Sequence, residues 1–244
     1  MRNTRRENAD LSGKQWEISN GEPNKREDEL NVETLREILC SKPVGVTFHF
    51  GDPSNTGYAA PPEPVRFCQA VKMVKETSMD LRLTRDTLSC AAAKYVLGFE
   101  KENLNECLEN LVAAKRFKNT GEAKKVLMDV PRITGSISSV TVSVHDVLSD
   151  VYILYLKPVH CMQVVQAYQK MYTHPLYLTV PSVVPVCGGC AVAPYLSQRI
   201  ALSFGCDDSR EHGGINDDQL VMGVPYSLTG SLAKSLEALK GCRS

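Results

Sequence analysis

The run SISSVTVSVHDVLSDVYILYL, residues 136–156, is where the chain changes period and where its fold class is decided. From Ser136 the period switches to two through Ile137, Val140, Val142 and Val144, and Val151 to Leu156 is a second apolar run. Both patterns read as strands, with His145 to Asp150 as the turn between them. On the C-terminal side, Val159 to Tyr172 reads as a helix with Met162, Val165, Tyr168 and Tyr172 on one side. Leu176–Val180, Arg199–Phe204 and Gln219–Val224 read as further strands. Leu228, Leu232, Leu236 and Leu239 give Ser227–Lys240 helical spacing.

On the N-terminal side the pattern is mainly helical. Leu30, Leu35, Ile38 and Leu39 share one face behind Asn31 as a cap, and Val44–Phe50 then reads as a strand. Helices are expected over 66–77 and over 85–97, the second capped by Thr84, carrying Cys90 inside and ended by Gly98. Two more are expected over 102–117 and 122–128. Helices grouped in the middle with strands on both flanks indicate an α+β fold. The expectation is a mixed β-sheet with a helical middle section and a C-terminal helix. Residues 1–28 are polar and aperiodic, and read as a mobile tail in which Trp16 is the exception; 29–244 reads as a single domain. The Pro/Gly-rich connection 51–64 is long for a compact domain, which suits a lid or a site edge. The chain has neither a Walker A sequence nor a GxGxxG after a strand, so the nucleotide folds lack their anchors.

Charge excludes other classes. Lys+Arg and Asp+Glu are equal at 28 each, which points to neither a nucleic acid nor a membrane surface as partner. The apolar runs fall well short of a bilayer span, and the N-terminus has no apolar core of a secretory signal. The expectation is a soluble cytoplasmic protein, in which nine cysteines would stay reduced.

Those cysteines are the chemically distinctive residues. Cys40, Cys107, Cys161 and Cys242 read as inert, buried thiols. Cys187-Gly-Gly-Cys190 has the spacing of a metal-binding or dithiol redox pair, with glycines that would admit backbone amides to a ligand. Cys68, Cys90, Cys187 and Cys206 each fall at an element boundary, where thiols can face one cavity; four thiolates suffice for a [4Fe–4S] cluster or, alternatively, zinc. Arg210, beside Asp207 and Asp208, is a candidate contact for an anionic ligand.

Several stretches in order carry a family resemblance: Lys42-Pro-Val-Gly-Val46, Arg66-Phe-Cys-Gln-Ala70, Ser89-Cys-Ala91 and Leu97-Gly-Phe99. They continue with Ser149–Pro158, Cys187, Cys206-Asp-Asp-Ser-Arg210 and Asp217–Pro225. Together they resemble the uncharacterised ArCR family, the cysteine-rich domain of unknown function 169, over roughly residues 30–240. The resemblance implies that Cys68, Cys90, Cys187 and Cys206 are the recurring cysteines and that Cys190 is an addition. The resulting expectation is an iron–sulfur protein serving electron transfer or a redox-linked step with a redox partner protein. The alternatives are a metal-free ligand-binding or regulatory domain using the 51–64 loop and Arg210, and a thiol oxidoreductase using Cys187 and Cys190.

Overall fold

The computed structural model describes residues 24–51, 57–99, 104–178 and 180–240; Trp16, Cys242 and the centre of the 51–64 connection lie outside them. In chain order the helices are α1 (Lys25–Leu39), α2 (Phe67–Thr77), α3 (Ala91–Leu97), α4 (Asn105–Ala113), α5 (Thr120–Asp129), α6 (Pro158–Tyr172), α7 (Ala193–Ser197), α8 (Asp207–Gly213) and α9 (Tyr226–Lys240). A π-helical segment, Pro185–Val192, runs directly into α7. The strands are β1 (Val44–His49), β2 (Leu81–Leu83), β3 (Ser139–Ser143), β4 (Val151–Leu156), β5 (Ala201–Ser203) and β6 (Leu220–Pro225), in the order β2-β3-β1-β4-β6-β5. The α+β class holds. Every ladder of the sheet is antiparallel, and among the described residues parallel pairing is confined to the isolated bridges Ala59–Leu81 and Val65–Leu88. The expected mixed sheet is therefore an antiparallel one.

Both faces of the sheet are covered, which is why β4 is buried at all six positions. Val151, Ile153 and Tyr155 join Val44, Val46, Phe48 and Val221 in a core shared with α2, α3 and the π-helical segment. Leu154, Leu156, Met222 and Val224 point the other way, into a second core with α1, α6 and α9. An apolar run with no polar alternation is normally a parallel strand between two helical layers; here the same double burial is reached with antiparallel neighbours.

Residues 144–150 do not form a hairpin turn. β3 and β4 both pair with β1, which lies between them, so the connection crosses over β1. Gly45 makes the crossing possible: a Cβ there would stand 2.0 Å from Ser149 Oγ. Asp150 fastens the crossing by accepting a hydrogen bond from Phe48 N at 2.8 Å. The second face of β3 carries Ser139, Thr141 and Ser143, all buried.

Several boundaries differ from the sequence reading. Helix α1 starts at Lys25, so residues 25–28, read as tail, form its first turn and Asn31 lies inside it. Asp28 accepts a hydrogen bond from Tyr226 Oη at 2.8 Å, and Lys234 pairs with Glu27 at 3.1 Å; both hold that turn on α9. Leu30 is 62% exposed, whereas Leu35 and Leu39 are fully buried. The inward face of α6 is Cys161, Val164, Ala167 and Tyr168, with Met162 outside. Residues 176–178 and Val180 form no strand, and α3 starts at Ala91 with Cys90, not Thr84, at its N-cap. Gly98 ends α3 as expected, with φ at 89°.

Candidate functional site

On the first-core side of the sheet, the starts of several helices meet around a cavity of about 90 Å³. Its wall contains Cys68, Cys90, Cys187 and Cys206 together with a fifth cysteine, Cys107. Every described cysteine is a free thiol.

The backbone explains this convergence. Val65 N donates to Thr87 O and Ser89 N donates to Val65 O, so the chain entering α2 runs beside the chain entering α3. Cys68 thereby falls in the first turn of α2, and Cys90 becomes the N-cap of α3 beside it. The N–H groups of Ala92 and Ala93 favour the charged form of the Cys90 thiol, and that of Gln69 does so for Cys68. Cys206 is the N-cap of α8: its sulfur accepts from the Ser209 N–H, while Ser209 Oγ accepts from Cys206 N at 2.7 Å. Gly213 then lets α8 lie close on α2, since a Cβ there would be 3.0 Å from Cys68 Cβ. Cys187 lies in the first turn of the π-helical segment, where the Gly188 N–H reaches its sulfur. Helix starts leave backbone N–H groups without intrahelical partners, and at this site part of that surplus points at sulfur.

Burial sets the thiol chemistry. It pushes the Cys68 thiol up to about 12, with the neighbouring Cys206 and Cys90 adding to the shift and Arg66 opposing it. Burial raises Cys90 as well, against the N–H groups of Ala93 and Ala92 and the charge of Arg66. Cys187 is raised well above its ordinary value, again by burial first and then by Cys90 and Cys68, with the Gly188 N–H opposing. These sulfurs are close enough to feel one another's charge. Without a cation Cys68, Cys90 and Cys187 are held as neutral thiols; with one, each can lose its proton.

Two arginines also reach the cavity, and the sequence reading had assigned neither. Arg66 pairs with Asp208 at 3.5 Å, and Arg116 pairs with Asp207, an aspartate left largely in solvent. The hydrogen bond from Arg116 to Asp207 raises the arginine's pKa. Arg210, the expected anion contact, is not in the cavity wall. Its Nη1 donates to Asn216 O at 3.0 Å and lies 3.7 Å from Asp217, tying α8 to the following loop.

The CGGC pair separates. Cys190 is fully buried outside the cavity, and its sulfur donates to Val221 O at 3.4 Å on β6. Its thiol is also raised strongly by burial. The two glycines serve packing: a Cβ on Gly188 would come within 2.7 Å of Val130, and one on Gly189 within 2.9 Å of Pro181. Of the cysteines read as inert, Cys161 is buried on α6, Cys40 is exposed at the end of α1, and Cys107 faces the cavity.

Among the described residues, no three His, Cys, Asp or Glu side chains gather closely enough to hold one metal ion, and no helix is long and apolar enough to cross a membrane. Fold and site together define a cysteine-walled α+β domain with helices on both faces of an antiparallel sheet. The chain belongs to the uncharacterised ArCR family, domain of unknown function 169, whose model matches residues 36–235. It is similar to an uncharacterized protein of Methanocaldococcus jannaschii, at 20% identity over 186 residues covering 74% of this chain and 80% of that protein. No solved structure is significantly similar to it.

Proposed function

We propose that the chain is an iron–sulfur protein in which Cys68, Cys90, Cys187 and Cys206 hold one [4Fe–4S] cluster, serving electron transfer or a redox-linked step with a redox partner protein. The observation that carries this reading is the convergence of the four thiols, from four separate helix starts, on one cavity.

The donor set fits the group. A cubane takes one thiolate at each iron, so its ligands stand around it. A structural zinc needs four sulfurs about 2.3 Å from a single point, and the described side chains include no such knot. When bound, such a cluster supplies one-electron chemistry at a potential tuned by hydrogen bonds to its sulfurs and by solvent exposure. The chain's own residues furnish both controls. The Ser209 N–H donates to the Cys206 sulfur, and the N–H groups of Gln69, Ala92, Ala93 and Gly188 favour the charged forms of Cys68, Cys90 and Cys187. Phe67, Val183, Val184 and Val186 give the wall its apolar lining. Arg66 and Arg116 bring positive charge to the side where thiolate charge would develop.

Iron and acid-labile sulfide measured on protein purified without oxygen test the reading. The expected result is about four of each per chain with a broad visible absorbance, lost in a folded Cys68→Ser variant. A colourless chain that takes up no iron even on anaerobic reconstitution overturns it. In that case the second reading, a metal-free pocket for a small anionic ligand, is favoured by the two guanidiniums in the wall.

A further inference from the structure

We propose that the polar face of β2, β3 and β1 is a second binding site, one that takes a small carboxylate- or phosphate-bearing molecule on Arg82 and Ser139. It lies on the opposite side of the sheet from the cysteine cavity and does not depend on the iron–sulfur reading.

Strand geometry defines this face. Val46 and Phe48 of β1, Leu81 and Leu83 of β2, and Val140 and Val142 of β3 all enter the first core. Side chains alternate along a strand, so the positions between them project the other way. Apart from Gly45, those positions hold Thr47, His49, Arg82, Ser139, Thr141 and Ser143. The ladders bring them side by side: Thr47 and Arg82 flank Thr141, and His49 stands opposite Ser139. Arg82 is diagonal to Ser139, a separation within the reach of a long side chain.

None of these side chains is apolar, whereas the same face of β4 and β6 packs its apolar residues on α1, α6 and α9. A sheet face turned to water would be polar too, but this one is not in water. Ser139 is 0% and Thr141 1% exposed, and Thr47, His49 and Arg82 around them are half-buried. The face is a sunken polar floor with a half-buried rim.

Most of its polar groups are bonded within the protein. His49 Nε2 lies 3.1 Å from Thr141 Oγ1, Thr47 Oγ1 donates to Asp146 at 3.4 Å, and Ser143 Oγ accepts from His145 N and Asp146 N. Two groups that can donate have no acceptor: Ser139 Oγ and Arg82 Nε are both shielded from solvent without a hydrogen-bond partner. The carboxylates of the neighbouring loops are engaged elsewhere. Asp80 accepts from Val144 N and lies 3.2 Å from His145 Nδ1, Asp146 accepts from Leu148 N, and Asp150 accepts from Phe48 N. Nε–H and the adjacent Nη–H form the edge of a guanidinium that takes two oxygens of one carboxylate or phosphate. A ligand of that chemistry would satisfy Arg82 Nε and accept from the Ser139 hydroxyl at once.

The test titrates inorganic phosphate and succinate separately, to millimolar concentration, into the full chain. Calorimetry reads affinity and backbone amide NMR shifts read location. The expected result is that at least one of the two binds, with shifts centred on residues 49, 82 and 139. Binding of phosphate alone assigns a phosphoryl ligand and binding of succinate alone a carboxylate; either supports the site. Arg82→Gln is expected to weaken binding by about tenfold or more, and Ser139→Ala by about 3–10-fold. Arg82→Lys keeps the charge but not the planar fork, and should also weaken binding, which keeps the test decisive if Arg82→Gln does not fold. Without ligand, Ser139→Ala should melt no lower than wild type, because its hydroxyl has no partner to lose; a lower Tm would assign Ser139 a structural bond and overturn its role. The site itself is overturned if neither anion binds, if Arg82→Lys binds as tightly as wild type, or if the shifts centre on Arg66 and Arg116 in the cysteine cavity.

Discussion

Gly223 lies on β6 directly beneath the π-helical segment, and replacing it with alanine tests how the fold positions the cysteine cavity. A Cβ at this position would stand 2.1 Å from Cys190 O, 2.8 Å from Cys190 C and 2.7 Å from Pro194 Cγ. Carbon and carbonyl oxygen rarely approach closer than about 3.3 Å, so the segment must lift by roughly 1 Å or the strand must sink. The obstacle is backbone, with no rotamer to yield, and the backbone torsions of Gly223 are not left-handed, so the effect of alanine is purely steric. Overpacking of this kind costs about 1–3 kcal/mol, and an unyielding carbonyl puts it near the top of that range. For a chain of this size about 3 kcal/mol corresponds to a fall in Tm of roughly 6–12 °C. Cys187 is on the segment that must lift, so Gly223→Ala is also expected to lower iron uptake in the folded fraction. Thermal unfolding followed by circular dichroism, with iron per chain measured below the transition, reads both effects. A variant melting within about 1 °C of wild type would show that the segment is not seated on Gly223, and the account of how Cys187 reaches the cavity would fail with it.

Gly45→Ala provides the contrasting case, because its obstacle is a side chain, Ser149 Oγ and Cβ; the single variant is expected to lose stability in urea unfolding, and Gly45→Ala/Ser149→Gly to recover most of it. Asp150 is raised to about 6 by burial, with the Phe48 N–H opposing and Asp146 adding to the shift. A carboxyl whose folded pKa exceeds its unfolded value of 3.8 contributes its full stability below about pH 4 and loses it as pH rises through 6, here by about 2–3 kcal/mol. Asp150→Asn keeps an acceptor for Phe48 N, and should match wild type near pH 4 while exceeding it near pH 7; equal slopes in the two proteins would refute this. Cys190→Ser exchanges one donor to Val221 O for another in a buried place, so a cost on the order of 1–2 kcal/mol is expected with iron per chain unchanged. Loss of the iron would return Cys190 to the site.

The legible parts of the fold were those with enough residues to show a period. Val151–Leu156 and Ser227–Lys240 are long and strongly patterned, and the structure has a strand or helix there within a residue. The failures are short elements whose form is set by their neighbours. β2 has three residues and exists because Leu81 to Leu83 lie against Val142 to Val140. Leu176–Val180 has strand composition, but its described residues have no sheet edge to join. The order of the strands was invisible too: adjacent in sequence, β3 and β4 read as a hairpin, and only the missing side chain of Gly45 hints that a loop must pass over it.

At the site, sequence proximity misled where element boundaries informed. Asp207 and Asp208 stand next to Ser209-Arg210, which made Arg210 the natural anion contact. In the fold those aspartates instead meet Arg116 and Arg66, 91 and 142 residues away in the chain. Nothing local distinguishes these two arginines from other surface cations, because the fold alone brings Arg66, before α2, and Arg116, beyond α4, to the first turn of α8. Cys107 was lost for a related reason. Inside a helical pattern a cysteine reads as a small hydrophobe, and whether its face meets core or cavity depends on what lies opposite. Cys68, Cys90, Cys187 and Cys206 were read from element boundaries and from the family resemblance, with Cys90 placed inside a helix and Cys206 after a strand; the structure puts each where a helix begins, and a helix start cannot be buried without partners for its free N–H groups. Four such starts facing one space create a local demand for acceptors, and sulfur at or near each of them answers it. That demand persists whether the thiols carry protons or iron, which is why the cavity's architecture is expected to survive in the cluster-free protein.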